Sequence, residues 1–194
     1  MTILIQQYTN DENKKLELNN ISKLLQNRII LFSQTVDDEI CNSIVGQLLY
    51  LENEDSTKDI RLFINSPGGS VTAGLSVYDT IQNLSVDVST ICFGLAASMG
   101  AVLLAAGVEN KRFAFASSRI MIHQPLSKVE APWSHLDIQI RNGAYFKNLL
   151  NNILSFHTKQ ELKQIETDTE RDFFLSATEA KQYGIIDHIF INNN

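Results

Sequence analysis

One serine in the chain stands where its hydroxyl could act as a nucleophile. Ser98 lies in the small-residue segment Gly94–Gly100, between a segment of strand character and a segment of helical character. Small neighbours permit a sharp strand-to-helix turn that presents the hydroxyl, as in the G-x-S-x-G nucleophile elbow, although Ala96 replaces its first glycine. Such a hydroxyl can attack a carbonyl when a neighbouring base accepts its proton. Ser98 could equally be a helix N-cap, one of the commonest uses of serine, and both interpretations stay open.

A histidine and an aspartate further along the chain could complete such a site. His123 ends an apolar strand that Pro125 stops, and the carboxyl ends of strands are where α/β folds place their sites. Asp172 precedes two aromatic residues that could shield its carboxylate, or it could cap the helix predicted over residues 178–183. The other histidines are expected to be solvated, namely His135, His157 and His188. Spacing alone does not bring Ser98, His123 and Asp172 together.

A second turn, Asn65–Ser70, contains the adjacent glycines Gly68 and Gly69 and also joins a predicted strand to a predicted helix. Adjacent glycines let backbone N–H groups approach a ligand closely. The lysine and the spacing of a phosphate-binding loop are missing, so the turn is not one. It is either a tight turn and nothing more or part of a ligand site.

The elements that must position these turns alternate between strand and helix. Strands are predicted over residues 28–32, 60–65, 86–94, 112–116 and 120–122. Helices are predicted over residues 71–84, 99–106 and 136–157, and another from the apolar face that runs from Ile40 to Leu49. On the helix predicted over residues 136–157, Asn151 falls on the polar side. This alternation is typical of βαβ units and a mainly parallel sheet, so the predicted fold class is α/β.

Composition narrows the classes of protein. The chain has 194 residues with a net charge of −6, which argues against nucleic acid as a main partner. No apolar run is long enough to cross a membrane, and the N-terminus has no secretory pattern. Cys41 and Cys92 lie in apolar segments without a CxxC pair and are expected to be reduced core residues. We therefore expect a cytoplasmic protein that binds neither nucleic acid nor membrane.

Four sequence blocks resemble the ClpP family, the proteolytic subunits of the ATP-dependent Clp protease. The blocks occur in family order between about Ile3 and Phe190, and they are Ser66–Gly69, Gly94–Ala101, Met121–Pro125 and Asp168–Asp187. The resemblance implies crotonase-like repeated βαβ units in a single peptidase domain over residues 1–194. It also implies a flexible N-terminal hairpin arm over residues 1–20 and a handle, a strand and helix over about residues 126–158 that packs ring against ring. An ordinary core helix is the alternative for the helical part of that handle.

The resemblance also assigns roles at the site. Ser98, His123 and Asp172 match the family's catalytic triad, and Gly69 and Met99 match the positions whose N–H groups form its oxyanion hole. Glu170 and Arg171 match the positions of the family's charged ring-to-ring contacts. No metal and no cofactor are implied, since ATP is used by the partner and not by this chain.

The implied partners follow from the same resemblance. They are further copies of the chain in two stacked heptameric rings, an AAA+ unfoldase such as ClpX, ClpA or ClpC, and unfolded protein substrates. The expected compartment is the cytoplasm, or a plastid stroma if the protein is organellar.

The sequence departs from the family pattern in places. Lys128–Leu136 has no glycine and carries Pro132 and the only tryptophan, and Lys159 stands where a glycine is usual. These changes suggest a divergent subunit with low activity alone that works mainly within a mixed particle beside a typical paralogue. Two rival classes are a non-catalytic ring subunit and an acyl-CoA hydratase or isomerase on the related crotonase fold. Labelling of Ser98 by a fluorophosphonate is expected only for the peptidase.

Overall fold

A computed structural model of the protein describes residues 21–125 and 135–190. The helices are α1 (21–26), α2 (Asp38–Glu54), α3 (Val71–Asn83), α4 (Met99–Ala105), α5 (Leu136–Thr158), α6 (Leu162–Asp168) and α7 (Ala177–Tyr183). The strands are β1 (Ile29–Phe32), β2 (Ile60–Ser66), β3 (Val88–Ala97), β4 (Arg112–Phe115), β5 (Arg119–Ile122), β6 (Phe173–Ser176) and β7 (His188–Phe190). The predicted N-terminal arm (residues 1–20) and the strand of the handle (126–134) lie outside the described residues.

The strands form one mixed sheet, and the predicted α/β class is confirmed. Its main path runs β1-β2-β3-β4-β7 with every pairing parallel. Helices α2, α3 and α4 connect β1 to β2, β2 to β3 and β3 to β4, as parallel neighbours require. Two strands branch off this path: β5 pairs parallel with β3, and β6 pairs antiparallel with β5.

Strand β3 ends three residues later than the prediction of residues 86–94 and begins later, at Val88. Its first half pairs with β4, and its last residues, Leu95–Ala97, pair with β5. The change of partner follows Gly94, whose φ of 93° is open to glycine at little cost. The small residues that suggested a turn from Gly94 onward therefore continue the strand up to Ser98.

Local sequence explains where the helices begin. The side chain of Asp37 accepts a hydrogen bond from the N–H of Ile40 at the start of α2, and Ser70 caps α3 in the same way. Ser176 and Glu179 form a reciprocal capping box at the start of α7. Each cap satisfies N–H groups that the helix itself leaves without acceptors, so these helices start at defined residues beside the sheet.

Helix α4 forms the centre of the core, because all seven of its residues are buried. It packs behind the end of β3, and Gly100 leaves room for the backbone of Ser66 at the neighbouring strand end. Each large apolar side chain buried there stabilises the fold by about 1.5–3 kcal/mol. The turn at Ser98 is thus anchored in the best-packed part of the molecule.

Helix α5 differs in burial along its length, and its role as a handle between rings stays a prediction. Its C-terminal half is buried, with Leu150, Ile153 and Leu154 in the core. Its N-terminal half leaves large apolar side chains in water: Ile138 is 64% exposed and Tyr145 is 61% exposed. The prediction that Asn151 lies on the polar side is wrong, because the helix packs on both sides at that level and buries it.

The sequence patterns missed α6, β6 and β7, which are short. The two strands contain only four and three residues and are held in the sheet by pairing with β5 and β4. Among the described residues, no helix is long and apolar enough to cross a membrane.

Candidate active site

Ser98 has a strained backbone at the junction of β3 and α4. Its φ of 54° and ψ of −123° are rare for a residue with a side chain. The turn is held on both sides, since the N–H of Ser98 donates to Met121 O at 2.8 Å and its carbonyl accepts from Ala101 at 2.9 Å. Although Ser98 occupies the N-cap position of α4, its side chain makes no capping hydrogen bond. The hydroxyl is therefore not used as a cap, and the strained turn favours the nucleophile interpretation.

The glycine turn packs directly against Ser98. A Cβ on Gly68 would lie 2.6 Å from the Ser98 Cβ and 2.7 Å from the Ala97 carbonyl oxygen, so no side chain fits there. The loop before α2 holds the turn in place: Val36 N–H donates to Gly68 O at 2.9 Å, and Ser70 N–H donates to Val36 O at 2.8 Å. The turn is thus a built part of the Ser98 environment and not an isolated tight turn.

Two backbone donors beside Ser98 have no acceptor among the described residues, namely the N–H groups of Gly69 and Met99. Met99 is the first residue of α4, where the N–H cannot bond within the helix. Gly69 has a φ of 152°, and a Cβ there would collide with the backbone of Val36. Unpaired donors of this kind can meet an oxyanion, although their use as an oxyanion hole stays a prediction.

His123 and Asp172 are joined by a hydrogen bond. His123 Nδ1 lies 3.0 Å from Asp172 Oδ1. The antiparallel register explains their meeting: Ile122 pairs with Phe173 at the end of the β5–β6 ladder, so His123 and Asp172 follow as the next opposed residues. The His123 side chain is 11% exposed and the Asp172 side chain is 61% exposed.

Two expectations for Asp172 are corrected by this arrangement. The aromatic residues do not shield the carboxylate, because the Asp172 side chain is 61% exposed. Asp172 is not a helix cap either, since Ser176 caps α7. Its described contact is the bond to His123.

Ser98 and His123 end neighbouring strands at the same edge of the sheet. Ala97 pairs with Met121 in the parallel β3–β5 ladder, so Ser98 and His123 both lie within two residues of that last pair. The described hydrogen bonds include none between the Ser98 hydroxyl and His123. Bonds of this kind often tighten only when substrate is present. The structure joins His123 to Asp172 and brings Ser98 to the adjacent strand end.

The charged residues next to Asp172 behave differently from each other. Glu170 forms an ion pair with Lys147 of α5, at 3.0 Å between Oε2 and Nζ. Arg171 is exposed and forms no salt bridge among the described residues. Their role in contacts between rings stays a prediction.

The expectation that His157 is solvated is wrong, whereas His135 and His188 are exposed. His157 lies on α5, and its Nε2 is 3.1 Å from the Tyr78 hydroxyl of α3. Burial, together with the positive charges of Arg112 and Lys159, lowers the pKa of His157 to about 4. The chain around it is polar in sequence, so no local pattern indicated that α3 would cover it.

The cysteines lie in the core, as expected. Cys41 and Cys92 are both free and buried. Burial raises the pKa of each thiol to about 11, which leaves both in the unreactive thiol form.

No group of three or more histidine, cysteine, aspartate or glutamate side chains within 21–125 and 135–190 is arranged to hold a metal ion. The chemistry available at the site is that of a hydroxyl beside a histidine–carboxylate pair and two backbone donors.

A comparison with protein-family models identifies the family of the chain. The model described as Clp protease matches residues 12–193, which is nearly the whole chain. The chain belongs to the Clp protease family. Its seven-stranded, mainly parallel sheet with flanking helices is consistent with the ClpP fold. Membership supports a ClpP-type peptidase and speaks against an acyl-CoA hydratase, and the match spans the glycine-poor segment Lys128–Leu136.

Proposed function

We propose that this chain is the serine endopeptidase subunit of an ATP-dependent Clp protease. The observation that carries the proposal is the hydrogen-bonded His123–Asp172 pair at the strand end next to Ser98, in a chain of the Clp protease family. The substrates would be polypeptides unfolded by a partner, as the similarity to the ATP-dependent Clp proteases implies.

In the proposed reaction, His123 accepts the Ser98 proton while the hydroxyl oxygen attacks the peptide carbonyl. The resulting imidazolium then donates this proton to the leaving amine, and water releases the acyl group by the reverse sequence. Asp172 holds the imidazole in the required tautomer through Nδ1 and stabilises its positive charge. The strained backbone of Ser98 keeps the hydroxyl out of capping bonds and available to the substrate.

The Gly69 and Met99 N–H groups would stabilise the oxyanion that forms on the carbonyl oxygen. Loss of one such donor typically costs about 3–4 kcal/mol in the transition state. Neither donor depends on a side chain, so the contribution comes from the backbone geometry that Val36 and α4 impose. The chain itself would need neither metal nor cofactor, and ATP would be used by the unfoldase.

Assembly into two stacked heptameric rings is part of the proposal. The projecting half of α5 presents Ile138, Ile140 and Tyr145 to solvent, and the ring-to-ring face needs an apolar surface of this kind. Glu170 and Arg171 would contribute charged contacts beside it. An AAA+ unfoldase such as ClpX, ClpA or ClpC would deliver substrates to the chamber in the cytoplasm, or in a plastid stroma.

A second candidate is a subunit with low activity alone that works mainly in a particle mixed with a paralogous ClpP. Two observations favour keeping it: Asp172 is largely exposed in the single chain, and the described contacts include no Ser98–His123 hydrogen bond. A neighbouring subunit could cover the carboxylate and tighten the site. Under this candidate, Ser98 still carries the chemistry.

The test measures size and activity on the same fraction. Light scattering with hydrolysis of a fluorogenic peptide should show a particle of about 14 subunits whose activity is lost in Ser98→Ala. A fluorophosphonate should label Ser98 in the parent chain and not in the variant. A small inactive species that becomes active on co-expression with a typical ClpP supports the second candidate, and a full particle with no labelling of Ser98 overturns both.

A further inference from the structure

Gln124 links the strand that carries His123 to the loop that carries Asp172. Its N–H donates to Thr169 O at 2.6 Å, and its side-chain Nε2 donates to Glu170 O at 2.8 Å. The loop consists of residues 169–172, between the end of α6 and the start of β6. Both acceptors are backbone carbonyls, so the two bonds set where the loop lies relative to His123.

The far side of this loop is anchored in the core. Thr169 is fully buried, and its hydroxyl lies 2.7 Å from Ile165 O and 3.2 Å from the side-chain amide of Asn151. A hydroxyl has a single hydrogen, which the shorter distance assigns to Ile165. The buried Nδ2 of Asn151 has no acceptor as its amide is oriented in the structure. Turning the amide over lets Nδ2 donate to the Thr169 hydroxyl.

Because Thr169 is anchored in the core, the side-chain bond of Gln124 is the contact to the loop that a substitution can remove. The backbone bond from Gln124 to Thr169 survives most substitutions, whereas the bond to Glu170 depends on the side chain. Glu170 also bonds Lys147 through its carboxylate, but that contact is at the surface and leaves the backbone carbonyl to Gln124. Asp172, two residues further, is 61% exposed and has little packing of its own to hold it.

We propose that Gln124 is a positioning residue for the His123–Asp172 pair. Its amide holds the loop in the position at which Asp172 Oδ1 lies within hydrogen-bond distance of His123 Nδ1. The inference rests on the proposed function, because the pair matters for rate only if His123 is the base. An amide of this length is required: a carboxylate at the same place would face the Glu170 carbonyl with no hydrogen to donate, and a shorter amide would not reach it.

The test replaces the donor while keeping the length of the side chain. Gln124→Met should lower kcat for a short peptide about 100-fold, which is the cost of a misplacement near 1 Å, with KM changed less than about twofold. Gln164→Met is the matched control. Gln164 lies on α6 at the surface, and its amide bonds the Asp168 carboxylate, so its loss should leave kcat unchanged. Equal losses in the two variants would overturn the inference.

A double-mutant cycle separates positioning from a general loss of stability. In an Asp172→Asn background, Gln124→Met should lower kcat less than about threefold, because the orientation of the lost carboxylate no longer matters. If Gln124→Met lowers kcat by the same factor in both backgrounds, Gln124 does not act through Asp172 and the inference is overturned. If the methionine variant does not assemble, Gln124→Asn retains the polarity and serves in the same cycle.

A crystal structure of the Gln124→Met particle decides the inference without any activity. The distance from His123 Nδ1 to Asp172 Oδ1 should exceed hydrogen-bond range. A pair that stays at the present 3.0 Å overturns the inference, even if the proposed peptidase activity is established. A parent chain with no labelling at Ser98 overturns the proposed function instead, and the two failures remain distinct.

Discussion

The contact between the glycine turn and Ser98 makes Gly68→Ala a sharp test of the site. The added Cβ would lie 2.6 Å from the Ser98 Cβ, whereas carbon atoms in contact prefer about 3.5–4.0 Å. One of the two turns must therefore move by about 1 Å. Because α4 is fully buried and the glycine turn is bonded both to Ser66 and to the loop at Val36, neither turn can move freely.

The size of the effect follows from that displacement. A misplacement of about 1 Å at a reacting group costs about 100-fold in rate. Alanine must also adopt the φ of +89° at Gly68, and strained backbone of this kind costs about 1–3 kcal/mol. We expect Gly68→Ala to lower peptide hydrolysis and the rate of fluorophosphonate labelling at Ser98 by about 100-fold. The free energy of unfolding should fall by about 1–3 kcal/mol.

Gly46→Ala is the matched control. Gly46 lies inside α2, and a Cβ there meets nothing within 4 Å. The same substitution should therefore raise the free energy of unfolding by about 0.5–1 kcal/mol and leave hydrolysis unchanged. Urea unfolding and hydrolysis are measured on both variants. The reasoning is refuted if Gly68→Ala keeps parental activity and stability, or if both variants lose activity alike.

Three further predictions concern stability. The pKa of His157 is lowered to about 4 in the folded chain, so the unfolded state binds the proton first as pH falls below 6.5. The free energy of unfolding in urea should therefore decline from pH 7 to pH 5, and His157→Gln should flatten that decline. An unchanged slope in the variant contradicts this assignment. Arg112 and Asp187 form a buried ion pair at 2.6 Å, so Asp187→Asn should lower the free energy of unfolding by about 3–5 kcal/mol. Equal urea stability of the variant and the parent would refute this prediction. Lys159 ends α5 with a φ of 63°, a conformation that glycine adopts more easily than alanine. Lys159→Gly should therefore be more stable than Lys159→Ala by about 1 kcal/mol in the same assay, since both variants have lost the ammonium group. Equal stabilities would show that the positive φ carries no cost.

Several features of the site could be predicted because they depend on neighbouring residues. The sharp turn at Ser98 requires small neighbours, and the glycine turn requires two residues without side chains. Periodicity placed α3, α4 and α5 to within a residue or two of their ends. It failed for β6 and β7, whose few residues are held by pairing with β5 and β4 and not by a pattern of their own.

The sequence by itself determined the α/β class, the four blocks that resemble the ClpP family and the residue types of the site, because each depends on local spacing and composition. Tertiary structure alone decided that His123 meets Asp172, 49 residues away, since their contact follows from the antiparallel register of β5 and β6. It also decided that Ser98 stays uncapped and that His157 is half-buried against Tyr78. Register and packing depend on the whole sheet, and no local pattern contains them.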